Sequence, residues 1–284
     1  MGSRIRNDRL SDIAGSGATL SRRQRPLLAG IQYVAGTLRA ALRVLIIFGT
    51  LAEIGFRYGL LRFRRGSQLN LNDRAHWLHV ACALMLRRMG VQLERRGAPP
   101  ANGLICSNHL GYLDILAYAA AVPCIFVSRS DIRGWPVFGW CARWGGTIFV
   151  DRQSRASTDR VARQMGEALT SGVPILLFPE GTSTDGSSVL RFHPSLLRPA
   201  IEHAADIAAA AIAYRVRGGE EREVCWYGDA SFVPHLLRML RRKGVRAEIE
   251  FHPDRAVYSE RKAAALDLHE KVGAMRVRMK RAAD

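Results

Sequence analysis

Residues 103–114 read Gly-Leu-Ile-Cys-Ser-Asn-His-Leu-Gly-Tyr-Leu-Asp, a short apolar run that ends abruptly in polar side chains. A brief uncharged run bounded by Gly is the pattern of a buried strand, and residues 112–121 after it carry helix-forming residues. The same unit returns along the chain. Apolar runs at 103–107, 124–128, 147–150, 173–178, 207–214 and 245–251 alternate with helical stretches near 112–121, 136–144, 156–170, 194–204, 231–241 and 259–280. Short buried strands alternating with helices predict an α/β fold with a largely parallel central sheet flanked by helices. Functional groups in such folds gather beyond the carboxyl ends of the strands.

Toward the amino end the pattern changes. Residues 1–26 are mostly polar, rich in Gly, Ser and Arg, and read as a flexible tail. Residues 27–63 are apolar, yet no uncharged stretch among them reaches the ~20 residues that span a bilayer. Their charges are ordered: Arg39, Arg43, Glu53 and Arg57, with Thr50 between them, fall at spacings of four, seven, three and four. Such spacing makes one polar stripe on a helix, with Leu, Ile, Val and Phe covering the remaining surface. Wide apolar coverage with arginines suits a helix lying in a membrane interface. A helix packed on the domain core would carry the same pattern. The cluster Arg62, Arg64 and Arg65 favours the membrane, since basic residues beside an apolar helix meet anionic headgroups. The chain thus divides into a tail (1–26), a membrane-associating amphipathic helix (27–66) and an α/β domain (67–284). A second helix is expected over 73–88, with Asp73 at its start and Arg87 and Arg88 at its end. Its His76 and His79 share a face without a third ligand, so no metal site is read there.

With 42 basic and 25 acidic residues among 284, the chain carries a formal charge of +17. That suits anionic surfaces of any kind: nucleic acid, phospholipid headgroups or a polyphosphate cofactor. Only four of the basic residues are Lys, an arginine bias that base composition alone can produce. Zinc-finger spacing, an RNP sequence, a basic heptad array and a Walker A loop are all missing from the sequence, so nucleic acid is not an expected partner. The five cysteines, Cys82, Cys106, Cys124, Cys141 and Cys225, form no CxxC pair and read as reduced, buried thiols. The polar first ten residues lack the apolar core of a signal peptide, which places the expected site of action on the cytoplasmic side.

Three polar clusters follow expected strands: residues 107–114, residues 145–152 and residues 178–182. A His with a nearby carboxylate can act as a general base, the carboxylate fixing its tautomer and steadying the imidazolium. On one continuous helix His109 and Asp114 would point about 140° apart. They can pair only if His109 sits in the strand-to-helix turn and Asp114 in the first helical turn, with Gly111 supplying the backbone freedom. Glu180, in Phe178-Pro179-Glu180-Gly181-Thr182, lies in a turn leaving a buried strand, where it could project a carboxylate or cap a helix. Asp151-Arg152 could equally be a surface ion pair.

Taken together and in this order, the clusters resemble the signature blocks of the glycerolipid acyltransferases, the family that includes 1-acyl-sn-glycerol-3-phosphate acyltransferase. Those blocks read Asn-His-x4-Asp, Gly-x-x-Phe-Ile-x-Arg and Phe-Pro-Glu-Gly-Thr. Here they stand as Asn108/His109/Asp114, Gly146/Phe149/Val150/Arg152 and Phe178 to Thr182. The resemblance covers roughly residues 75–250. It implies that His109 is the base and Asp114 its orienting partner. Arg152, Glu180, Gly181 and Thr182 would bind the acceptor. The donor would be acyl-CoA or acyl-carrier protein, the acceptor a lysolipid at the membrane surface, and no metal or prosthetic group would be required. The enzyme would sit on the cytoplasmic face of the inner membrane as a peripheral or monotopic protein. One departure stands out: the family's third block usually continues with Arg, and here Ser183 follows Thr182. The form Phe-Pro-Glu-Gly-Thr-x-x-Asp-Gly, with the later Trp226-Tyr227-Gly228-Asp229, is similar to the lyso-ornithine lipid acyltransferase branch, whose acceptor is zwitterionic and lacks phosphate. Lysophosphatidate is the acceptor implied by the blocks, and lyso-ornithine lipid the alternative. A hydrolase is the nearest other enzyme class, but the sequence lacks a Gly-x-Ser-x-Gly elbow.

Overall fold

The alternation of apolar runs and amphipathic stretches folds into a seven-stranded sheet between two layers of helices, described by a computed structural model for residues 24–66, 68–151 and 155–282. The strands are β1 (Val91–Arg96), β2 (Leu104–Ser107), β3 (Ile125–Arg129), β4 (Ile148–Val150), β5 (Ile175–Leu177), β6 (Ile207–Val216) and β7 (Val245–Ala256). Their order across the sheet is β1-β7-β6-β2-β5-β3-β4. The run from β6 to β4 is parallel throughout, whereas β7 pairs antiparallel with β6 and parallel with β1. The sheet is therefore largely parallel, as expected, with one reversed pair at the β1 edge.

Strand β1 was not among the expected strands. Its residues Val-Gln-Leu-Glu-Arg-Arg bury little beyond Val91, and its charges lie on the open edge of the sheet. Edge strands carry such charges because they discourage pairing with another chain, which also hides the strand from a reading based on apolar runs.

The helices are α1 (Gln24–Arg65), α2 (Leu71–Met89), α3 (Tyr112–Ala121), α4 (Phe138–Trp144), α5 (Arg155–Thr170), α6 (Arg198–Glu202), α7 (Phe232–Arg241) and α8 (Arg261–Arg281). Alternate strand residues feed two cores. Ile105, Leu176, Ile212 and Ile249 pack toward α2, α3 and α7, while Cys106, Ile175, Ala209 and Ala211 pack toward α5, α6 and α8. Residues 1–23 of the expected tail lie outside the described residues, and residues 24–26 already belong to α1.

The polar stripe of α1 faces the body of the protein from Arg39 to Glu53, while Arg57 is exposed and pairs with Glu53 at 2.7 Å. Arg39 donates to the Arg241 carbonyl at 2.7 Å, and Arg43 to the carbonyls of Leu240 and Arg242 at 2.9 and 2.8 Å. Both arginines thus satisfy carbonyls at the carboxyl end of α7, where cations are favoured. Farther along, Arg88 of α2 donates to Thr50 and pairs with Glu53 at 2.7 Å. Tyr58 then stacks on Trp144 at 4.6 Å and meets Trp77 edge-on. The opposite face is open: Leu45 is 69% exposed, Phe56 72% and Phe63 88%. The helix is long and apolar enough over Gln32–Arg65 to cross a membrane, by length and composition.

Candidate active site

Strands β2 and β5 are parallel neighbours with Cys106 beside Leu177, so the polar residues that follow each emerge side by side. This register brings together the first and third clusters, which lie about seventy residues apart in sequence.

The turn after β2 is pinned from three sides. Asn108 accepts from the Ile212 N–H at 2.9 Å and donates to the Ile212 carbonyl at 3.1 Å, tying the turn to β6. The backbone N–H of His109 donates to Glu180 Oε1 at 2.7 Å, and its carbonyl accepts from Thr184 at 3.0 Å. The His109 ring stacks on Phe178, 4.1 Å between centroids and 15° between planes. Helix α3 then begins at Tyr112, which places Asp114 in its first turn, as the His-Asp pairing requires. Gly111 makes the junction possible. Its φ of 152° is one that L side chains rarely adopt, and a Cβ there would lie 2.8 Å from the Trp226 nitrogen.

Asp114 is fully buried and surrounded by donors. Its Oδ2 lies 2.8 Å from His109 Nδ1 and accepts from the N–H groups of Leu110 at 2.5 Å and Gly111 at 3.0 Å. Its Oδ1 accepts from the Tyr214 hydroxyl at 2.6 Å. A carboxylate filled with donors can only accept from the imidazole, so Nδ1 carries a proton and, in the neutral ring, the lone pair stands on Nε2. The His109 side chain is 20% exposed, which leaves that lone pair reachable from outside.

Glu180 is buried, and both its oxygens are engaged within the chain: Oε1 by His109 and Oε2 by the Leu190 N–H at 2.8 Å. Burial pushes its carboxyl up to about 7. The group expected to meet an acceptor thus clamps the His109 turn to the loop after β5. Gly181, at φ 72°, closes that turn, and Thr182 stands exposed at its rim. Ser183 turns inward and donates to the Trp226 carbonyl at 2.6 Å, while Trp226 donates its backbone N–H to Leu110 at 2.8 Å. Arg152 lies outside the described residues, and the strand before it, β4, is three places from β2 in the sheet.

Two buried groups behind the site were not read from the sequence. Tyr214 sits in β6 and holds Asp114. Arg276 of α8 donates to both Glu221 oxygens and to the carbonyls of Ile212 and Gly186, joining β6 to the loop after β5. Neither carries a local motif; only the sheet order brings them near His109. The five thiols are free, and burial pushes each of them up, Cys141 to about 11. Thiols so disfavoured as anions are poor nucleophiles.

Residues 91–214 match the Acyltransferase family. A lyso-ornithine lipid O-acyltransferase of Brucella abortus is 33% identical over 256 residues, covering 84% of this chain and 94% of the relative. A lyso-ornithine lipid O-acyltransferase of Rhizobium meliloti is 32% identical over 189 residues, 62% of this chain, and the match spans just under two thirds of that relative, 64%. The crystal structure of the 1-acyl-sn-glycerophosphate acyltransferase from Thermotoga maritima superposes with a TM-score of 0.64 at 17% identity, over 88% of this chain and 98% of that one. At that identity the likeness speaks for the fold.

Proposed function

Because the chain belongs to the acyltransferase family, we propose that it moves a fatty acyl group from a thioester donor to the free hydroxyl of a lysolipid, with His109 as general base. The observation that carries this reading is the His109–Asp114 pair, held at 2.8 Å with Nε2 of the imidazole left open. Nε2 removes the proton of the acceptor hydroxyl as the oxygen attacks the thioester carbonyl. The tetrahedral intermediate then collapses, breaking the carbon–sulfur bond, and the departing thiolate takes the proton from the imidazolium. Asp114 fixes the tautomer and offsets the charge on the ring. Backbone N–H groups near a turn of the site stabilise the oxyanion. Glu180 positions the His109 turn, Gly181 and Thr182 border the acceptor, and Arg152 contacts its headgroup. The residues of this mechanism need no metal or prosthetic group.

The acceptor we assign is lyso-ornithine lipid. Ser183 occupies the place where the family's third block usually has Arg, and it is tied inward to Trp226. The relatives from Brucella and Rhizobium described above carry that activity in their names. Lysophosphatidate is the second reading, supported by the three blocks. Helix α1 holds the enzyme on the cytoplasmic face of the inner membrane as a monotopic protein, its polar stripe on the body and its apolar face in lipid.

The test is acyl transfer by purified protein to both lysolipids side by side, with His109→Ala as control. Transfer that survives in the variant removes His109 from the mechanism. Failure with both acceptors and with both acyl-CoA and acyl-carrier protein removes the activity.

A further inference from the structure

Strand β6 outruns its neighbour in the sheet. It pairs with β2 only as far as Ala210, opposite Ser107, and continues to Val216. Past that point the backbone of β6 meets side chains in place of a strand. Asn108 takes both polar groups of Ile212, and the Ile212 carbonyl also accepts from Arg276 Nη1 at 2.8 Å. The Tyr214 N–H donates to Glu221 Oε1 at 2.8 Å. Glu221 is gripped in turn by Arg276 of α8, whose Nη1 and Nη2 donate to its two oxygens at 2.9 and 2.8 Å. Arg276 is the only arginine buried among the described residues. A charge leaves water at a large cost unless it is paired and hydrogen-bonded, and this pair is both. Its far end is the backbone of Tyr214, the residue whose hydroxyl reaches Asp114 Oδ1 at 2.6 Å.

We propose that Tyr214 is a positioning residue for acyl transfer: its hydroxyl fixes Asp114 so that Oδ2 meets the imidazole of His109, and the buried Arg276–Glu221 pair holds the Tyr214 backbone from behind. The inference rests on the acyl-transfer reading above. The two oxygens of Asp114 are held unequally. Oδ2 accepts from three N–H groups, whereas the Tyr214 hydroxyl is the one donor to Oδ1 among the described residues. Without that hydroxyl a buried, charged oxygen is left unsatisfied. The carboxylate is then free to turn about its Cβ–Cγ bond toward the donors that remain, and His109 Nδ1 loses its fixed partner. The Tyr214 side chain is itself fully buried. Burial, and then the charge of Asp114, holds its hydroxyl well above the ordinary phenol range, so it serves as a donor only. Tyr214 touches no reacting atom; it acts through Asp114 on the base.

The test uses the full chain in detergent, isotope-labelled in its histidine rings, and compares it with Tyr214→Phe, which keeps the buried ring and removes only the hydroxyl. The Nδ1–H proton of His109 is followed by NMR and assigned by its loss in His109→Ala. In Tyr214→Phe that resonance should move and exchange faster with water. In turnover, kcat should fall by about tenfold or more, the order set by one hydrogen bond to a charged group, while KM for donor and acceptor stays within about twofold. A fall in Tm with kcat and the resonance unchanged would make the hydroxyl a packing group and overturn the proposal. A rise in KM at constant kcat would make it a binding group and do the same. If Tyr214→Phe does not fold, Glu221→Gln decides, since it keeps an acceptor for the Tyr214 N–H and loses the charge facing Arg276. It should shift the resonance and kcat in the same direction by less, and an unmoved resonance overturns the proposal. A resonance displaced by Tyr214→Phe in a protein that transfers no acyl group would keep the positioning role and refute the activity. Transfer that survives in Tyr214→Phe with the resonance unmoved would do the reverse.

Discussion

Two polar assemblies in this molecule are built alike and used differently. In the turn between β2 and α3, a buried carboxylate gathers two backbone N–H groups, a tyrosine hydroxyl and an imidazole. Along α1, two arginines gather the carbonyls at the end of α7. Both convert charge into fixed geometry. The turn leaves one atom over, Nε2 of His109, and that atom is free for chemistry. The helix seam has its charges engaged, and its product is orientation: with Arg39, Arg43, Thr50 and Glu53 facing the body, the apolar residues of α1 face out. An ordinary surface helix does the opposite, as α8 does when it buries Leu268, Val272 and Met275 and exposes most of its charges, Arg276 excepted. A helix that hides its polar stripe is built for a surrounding less polar than water.

The sharpest division between the two assemblies should appear in activity. His109→Ala removes the proton acceptor and its stacking on Phe178 but leaves the chain folded, so turnover should fall by ~10²- to ~10⁴-fold with only a modest fall in Tm. Asp114→Asn should lose as much activity and also lower Tm, because an amide group would face N–H donors that now meet a carboxylate. Steady-state kinetics and thermal unfolding on the same preparations separate the two. If His109→Ala unfolds the protein, the imidazole belongs with the structural seam and the contrast collapses.

The seam should show the reverse pattern. Arg39→Ala/Arg43→Ala strips donors from three carbonyls, and hydrogen bonds to charged groups contribute about 1.5–3 kcal/mol each. Hydrogen exchange should quicken along α1 and α7, and vesicle binding should weaken, while turnover on detergent-dispersed substrate falls by less than in His109→Ala. A loss of turnover equal to that variant's would mean that α1 shapes the catalytic turn directly.

The unequal legibility of the two regions in the sequence has a physical cause. The His109–Asp114 pair is local: five residues, a glycine and a strand-to-helix boundary limit it to one geometry. Six of the seven strands and the extents of α3, α5 and α7 were readable for the same reason, since each is a continuous pattern. The partners of the site are not local. Tyr214 reaches Asp114 across a hundred positions, and Arg276 reaches Ile212 across sixty-four, through strand order that periodicity does not encode. The stripe on α1 was visible too, but a stripe has two sides. Only the carbonyls at the end of α7 decide which side faces in. Glu180 shows the same limit: its turn was evident, while its engagement with His109 and Leu190 depends on β2 lying beside β5.

The smallest effect we expect also separates the regions, because only one of them should respond to mild acid. Glu180 titrates near 7 in the folded chain, against 4.5 for an ordinary Glu, owing to its burial. A raised carboxyl means that between those values the folded state holds a proton that the unfolded state has released. Rising pH through that window therefore lowers the stability that Glu180 contributes. Glu180→Gln cannot titrate, and it leaves one of the two backbone N–H groups without its acceptor, a cost of about 1–3 kcal/mol. The Tm deficit of the variant should accordingly be widest near pH 5 and narrow toward pH 8, as the wild type acquires its buried charge. Protonation also leaves the N–H groups of His109 and Leu190 on a neutral carboxyl, a weaker acceptor than the carboxylate, so below about 7 the hold on the His109 turn weakens. The acid limb of kcat/KM should then be steeper in the wild type than in the variant. A Tm deficit that stays flat from pH 5 to 8 would show that Glu180 is ionised throughout, and that the catalytic turn, like the arginine seam, is insensitive to pH in this range.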